Sequence, residues 1–142
     1  MFPTPIAVGV DGSPAAQLAL TAGVELARAT GSPLHLVHVR STSRAIHGRT
    51  PPEPQRTRSR DDGDQVLDDA AQQVTTLGGE VAATHLHAAT NLARGLAEAA
   101  TQLEVGLLVV GAGRSGRLVE LVTTDASAST VRAASMSVLV VR

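Results

Sequence analysis

The chain has 142 residues, a mass of 14.5 kDa and a formal net charge of −1. That length suits one domain on the usual scale of roughly 100–200 residues, and a charge this close to neutral recruits neither nucleic acid nor an anionic membrane. There is no cysteine, which excludes disulfides, iron–sulfur clusters and cysteine-ligated zinc. Phe2 is the only aromatic residue, so base-stacking platforms and aromatic cages cannot be built, and all twelve basic residues are arginine, which removes the lysine of a Walker loop and Schiff-base chemistry. The core must be made of Leu, Val and Ala. No apolar run reaches the roughly 18–20 residues of a membrane span, and Met1-Phe2-Pro3 leads almost directly into a strand pattern without a basic leader. The expectation is a cytoplasmic protein.

In chain order, Ile6 to Val10 is a short apolar run ending at Asp11-Gly12, the pattern of a strand buried on both faces. Ser13-Pro14 opens a helix, with Ser as N-cap and Pro in the first turn; Leu20, Val24 and Ala27 line its inner face and Gly31 ends it. Leu34 to Val39 is a second strand. Residues Arg40 to Asp62 carry six arginines, three acids and Pro51, Pro52 and Pro54, with Ile46 as the one large aliphatic residue. Such a stretch buries too little to offset its ordering entropy and reads as a mobile, solvated linker; its arginines would also suit an anion-attracting flap. A helix from about Asp64 turns Val66, Ala70, Val74 and Leu77 inward and closes at Gly78. Val81 to His87 is a third strand with partial alternation. Asn91 begins a helix with Leu92, Leu96, Ala99 and Leu103 on one face, Leu107 to Val110 is a fourth strand, Asp125 to Ala134 a fourth helix, and Val138 to Val141 a fifth strand.

Strands alternating with helices predict an α/β fold: one doubly wound, five-stranded parallel sheet with right-handed crossovers, helices on both faces and the first strand central. Ligands bind such sheets at the carboxyl ends of the strands, where the strand order reverses. That rim holds Asp11-Gly12-Ser13, the segments after Val39 and His87, and Gly111 onward.

The order and spacing of Ile6-Ala7-Val8-Gly9-Val10-Asp11-Gly12-Ser13, Leu34-His35-Leu36-Val37-His38-Val39, Leu107-Leu108-Val109-Val110-Gly111 and Val138-Leu139-Val140-Val141-Arg142 resemble the universal stress protein (UspA-like) family across nearly the whole chain. The resemblance implies a flavodoxin-like sheet (adenine nucleotide alpha hydrolase-like), a homodimer through the last strand and a cytoplasmic stress-response role. In one branch of that family it implies bound ATP. That branch carries Gly-x2-Gly-x9-Gly-Ser/Thr after the fourth strand, where glycines let backbone amides approach phosphates and a helix start supplies unpaired N–H groups.

Counted from Gly111 without a gap, the second glycine position is Arg114 and the final pair is Thr124-Asp125. A shifted register through Gly113 and Gly116 to Ala126-Ser127 keeps two glycines and the hydroxyl, but needs an insertion and a matching deletion. Where ATP-binding relatives have a Gly-x-Pro turn after the third strand, this chain has Thr90-Asn91-Leu92. Asp11, Val39 and Gly111 match the family residue by residue; most of the phosphate cradle does not. A carboxylate at Asp125 caps a helix well and repels a phosphate about 4 Å away by about 4 kcal/mol at an effective dielectric near 20. Arg114 and Arg117 offset part of that.

His35 and His38 differ by three and point to opposite faces of a strand; His85 and His87 share a face. No carboxylate with evident ligand spacing accompanies them, so no metal site is expected. No Gly-x-Ser-x-Gly elbow is present, and Ser13 is explained as a cap, so no catalytic residue is expected either. Gly111-Ala112-Gly113-x2-Gly116 lies too late in the chain for a dinucleotide fingerprint. The reading is a non-catalytic stress protein responsive to an adenine nucleotide, ATP, through Asp11, Val39, Gly111, Gly113, Arg114, Gly116, Thr124, Asp125 and Ser127. The alternative is a nucleotide-free dimeric interaction protein of the same fold, and a slow ATPase ranks third.

Overall fold

The computed structural model describes residues 4–42, 53–112 and 136–142. Its elements are β1 (Ile6–Gly9), α1 (Pro14–Thr30), β2 (Leu34–Ser41), α2 (Glu53–Thr76), β3 (Ala83–Ala89), α3 (Leu92–Gln102), β4 (Leu107–Gly111) and β5 (Ser137–Val141). The strands form one parallel sheet in the order β3-β2-β1-β4-β5. β1 is central, as its uninterrupted apolar run requires. The predicted helix at 125–134 lies outside the described residues.

Side-chain alternation divides the core in two. Ile6, Val8, Leu34, Leu36 and Val109 face α1 and α2, where they meet Leu20, Val24, Leu67 and Val74. Ala7, Val37, Leu108 and Val110 face α3 and pack on Ala93, Leu96, Ala97 and Ala100. With no large aromatic to fill space, the layers close through small residues. A Cβ on Gly23 of α1 would stand 2.5 Å from Val8 Cγ2, and one on Gly95 of α3 2.5 Å from Ala89 Cβ.

The start of α1 follows its sequence. Ser13 Oγ accepts from Ala16 N (3.2 Å), Pro14 sits in the first turn where its missing N–H costs nothing, and Gly31 takes a left-handed φ of 70° while its N–H bonds Ala27 O.

Two boundaries correct the sequence reading. β2 runs on through Arg40 and Ser41, which pair with Ala88 and Ala89, and β3 is accordingly displaced to 83–89. The apolar run marks where the sheet is covered, not where backbone pairing ends. α2 begins at Glu53, eleven residues before the expected Asp64. Pro54 falls in the first turn and arginine is a good helix former, so the helix extends back from the half anchored by Leu67, Ala70 and Val74. The stretch expected to be mobile, 40–62, is therefore strand at one end and helix at the other; 43–52 lie outside the described residues.

Candidate functional site

Strand order reverses between β1 and β4, so the crevice expected of such a sheet opens at the carboxyl ends of those two strands. Residues leaving β1 make its first wall. Asp11 Oδ1 accepts from Ser13 N (2.9 Å), an Asx turn, and Gly12 follows with φ 79°. Val10 N donates to Val37 O (2.9 Å). The carbonyl of Val10 accepts from His38 Nδ1 at 2.7 Å, which fixes the proton on that nitrogen. His38 thus braces the backbone one residue before Asp11 from the α2 side of the sheet.

On the α3 side, Gly9, Val10, Asp11, Val37, Val39, Leu92 and Leu96 line a notch of about 30 Å³. The structure brings Asp11 and Val39 together here. Sequence reasoning did not find Gly9, Leu92 and Leu96, which complete the lining. A Cβ at Gly9 would come within 2.8 Å of Leu96 Cδ2, and glycine at the end of an otherwise apolar strand was the available signal. Leu92 belongs to the segment where relatives have the Gly-x-Pro turn, and its side chain helps to close the notch. That volume suits a few water molecules, not a purine, so a base must displace Leu92 or its neighbours. A larger cavity of about 120 Å³ lies on the opposite face between α1 and α2, lined by Gly12, Ser13, Gln17, Val66, Asp69 and Gln73 among others.

Gly111 ends β4 one strand over. A Cβ there would run into the carbonyl of Ala15, so its glycine is demanded by the close approach of α1. Ala112 N is already bonded to Val141 O (2.8 Å). Gly113, Arg114, Gly116, Arg117, Thr124, Asp125 and Ser127 lie outside the described residues.

The histidines separate as expected, His38 on one face and His35, His85 and His87 on the other. Adjacent strands then bring His35 Nδ1 within 3.1 Å of His85 Nε2. Burial first, and the neighbouring His85 second, hold the His35 imidazole below its ordinary pKa of 6.5. A carboxylate does accompany His87: Glu98 of α3 stands 3.6 Å from its Nε2 and also bonds Arg94 Nε at 3.2 Å. Its place on α3, eleven residues beyond His87, hid it from a reading of local spacing. Among the described residues no three ligating side chains converge, and no helix is long and apolar enough to cross a membrane.

A five-stranded parallel sheet in the order β3-β2-β1-β4-β5, with α3 on one face and α1 and α2 on the other, defines a doubly wound α/β domain. Within it, the universal stress protein family model matches residues 3–142, and the chain belongs to that family. A universal stress protein family structure from Burkholderia pseudomallei is 28% identical, with a TM-score of 0.72, over 97% of this chain and 95% of that one. UspA from Lactobacillus plantarum is 26% identical, with a TM-score of 0.68, over 98% and 97% of the two chains. The universal stress protein from Archaeoglobus fulgidus in complex with dAMP is 22% identical, with a TM-score of 0.68, over the full length of both. A search of curated proteins finds no match.

Proposed function

We propose that this chain is a non-catalytic cytoplasmic stress-response protein that takes an adenine nucleotide at the reversal of its sheet. The base enters at Asp11 and Val39, and the phosphates extend from Gly111 toward 113–127. The observation that carries this reading is the shared notch of Asp11 and Val39 beside the β1–β4 crevice. The dAMP complex of the Archaeoglobus fulgidus relative supports the choice of an adenine nucleotide. Arg114 and Thr124 stand where the family's cradle has glycines and Asp125 where it has a hydroxyl, which counts against ATP itself. The test is direct. With no Trp or Tyr, the purified protein has almost no absorbance of its own near 260 nm, so retained nucleotide is visible at once. Calorimetric titration with AMP and ATP, with and without magnesium, follows. Saturable binding that Asp11→Ala weakens supports the assignment; absence of binding to every adenine nucleotide overturns it.

One feature favours the second reading, an interaction protein without nucleotide. Leu92 and Leu96 narrow the notch, and one Asp11 oxygen already holds the Ser13 amide. In both readings the molecule is a homodimer joined through β5. Support comes from the edge position of that strand and from Leu139, 38% exposed on it. A monomer by light scattering at micromolar concentration overturns the dimer.

A further inference from the structure

The contact between His35 and His85 serves neither reading of the nucleotide site. β2 and β3 pair with Val37 opposite His85, and His35 lies two residues before Val37 on the same face. The two rings are half-buried, with centroids 5.3 Å apart and planes tilted by 31°. His35 Nδ1 and His85 Nε2 stand 3.1 Å apart and share one hydrogen bond. Among the described residues neither ring is hydrogen-bonded or ion-paired to any other side chain.

That separation has a second use. With metal–nitrogen bonds of about 2.0–2.1 Å, two imidazoles on one ion have nitrogens about 2.9 Å apart at a right angle and about 3.3 Å at the tetrahedral angle. The observed 3.1 Å falls between them. The nitrogens now point at each other along the hydrogen bond. Once the proton of the shared hydrogen bond moves to the other nitrogen of its own ring, each imidazole offers a lone pair here, and turning the rings about their soft Cβ–Cγ bonds, which shifts the nitrogens slightly, aims both at a common point. The backbones need not move, because seven register pairs lock the two strands together. His87 shares the face, but Glu98 occupies its Nε2 side.

The geometry points to a two-histidine site for a late first-row transition metal ion, copper before zinc, held by His35 Nδ1 and His85 Nε2 with water in the remaining positions. Imidazole ligands without carboxylates select these ions over magnesium and calcium, which require oxygen donors. The site rests on neighbouring strands, so a bound ion staples the edge strand β3 to β2 and stabilises the folded state by mass action.

The experiment uses the full chain without any affinity tag. Cu(II), Zn(II) and Mg(II) are titrated calorimetrically into the parent, His35→Gln, His85→Gln and His87→Gln. In parallel, substoichiometric Cu(II) is added to the labelled parent while its imidazole NMR signals are followed. The expected result is one copper per chain, zinc more weakly and no magnesium, with His35 and His85 signals broadened first. Either His35→Gln or His85→Gln should weaken copper binding by at least about tenfold, while His87→Gln keeps it within about threefold. Copper binding that survives both substitutions, broadening centred on His47 or His87, or no binding at all overturns the proposal. The NMR arm reads the site in the parent, so a variant that fails to fold does not shield the proposal.

Discussion

Replacing Gly111 by Ala separates two reasons for a glycine at the end of β4. The family resemblance makes it part of a phosphate cradle; the packing makes it a contact with α1. Nothing in its φ demands glycine, since Gly12, Gly31 and Gly78 are the described glycines with positive φ. What demands it is the Ala15 carbonyl, which a Cβ would overlap, with Ala15 Cβ a further 3.0 Å neighbour. The obstacle is helix backbone, not the end of a flexible side chain, so relief must come from shifting the first turn of α1 or bending the end of β4. Overpacking of this kind costs about 1–3 kcal/mol, and a rigid obstacle puts the value in the upper half of that range. For a domain of this size that is a fall in Tm of roughly 4–10 °C. Urea unfolding of parent and variant, with m compared to confirm the same transition, measures it. A Gly111→Ala variant within about 0.5 kcal/mol of the parent would refute the packing argument and return the glycine to the ligand.

Truncating Leu96 to Ala removes a side chain only 1% exposed and should cost about 2–5 kcal/mol by urea unfolding, while widening the notch beside Asp11 and Val39; a cost under about 1 kcal/mol would show that α3 collapses onto the sheet. The lowered pKa of His35 means that the unfolded chain binds a proton more readily than the folded one. In chelator-treated buffer, stability should therefore be full above pH 6.5 and decline as the pH falls from there toward the folded pKa, and His35→Gln should flatten that decline; an unchanged slope in the variant contradicts it. For the nucleotide, the double change Arg114→Gly with Asp125→Ser should bind ATP more tightly than the parent by calorimetry, because it removes a carboxylate that would repel the phosphates and restores a family-like glycine and hydroxyl. Unchanged or weaker binding would favour the shifted register through Gly113, Gly116 and Ser127.

Where burial alone decides, the chain announces its structure. β1 and β4 are covered on both faces, so their continuous apolar runs are legible within a residue, and Ser13, Pro14 and Gly31 bracket α1 because caps are local chemistry. β3 is half-covered, and its boundary was misjudged by two residues because pairing with Arg40 and Ser41, not hydrophobicity, sets its end. The first half of α2 escapes the sequence reading for the opposite reason: residues 53–63 hold no large apolar side chain, so no periodic pattern marks a helix there. At the candidate site, Asp11 and Val39, which line one notch, are proposed through resemblance. Leu92, Leu96 and His38 were not assigned to it, since their roles depend on where α3 sits and which face β2 presents. The His35–His85 contact depends on inter-strand register, which no spacing within either strand encodes.

Helix starts at the carboxyl edge of a parallel sheet attract anions only if their amides remain available. The start of α1 offers little of this. Pro14 has no N–H, Ala16 N is held by Ser13 Oγ, Gln17 N by Ser13 O, and Ser13 N by Asp11 Oδ1, which leaves Ala15 N as the one first-turn amide without a hydrogen bond among the described residues. The turn is closed by its own side chains, and the contact of Ala15 with Gly111 seals it against β4. On the proposed reading, a phosphate in the β1–β4 crevice would take most of its donors from the stretch that follows Gly111. That is the stretch in which arginine replaces a glycine and aspartate replaces a hydroxyl. On that reading, nucleotide affinity would depend on whether Arg114 and Arg117 supply by charge what a glycine-lined cradle of backbone amides supplies by geometry. Charge is screened by salt, whereas a cradle of backbone amides is much less so. Strongly salt-sensitive binding of ATP would identify an arginine-based site, and salt-insensitive binding the amide cradle typical of the family.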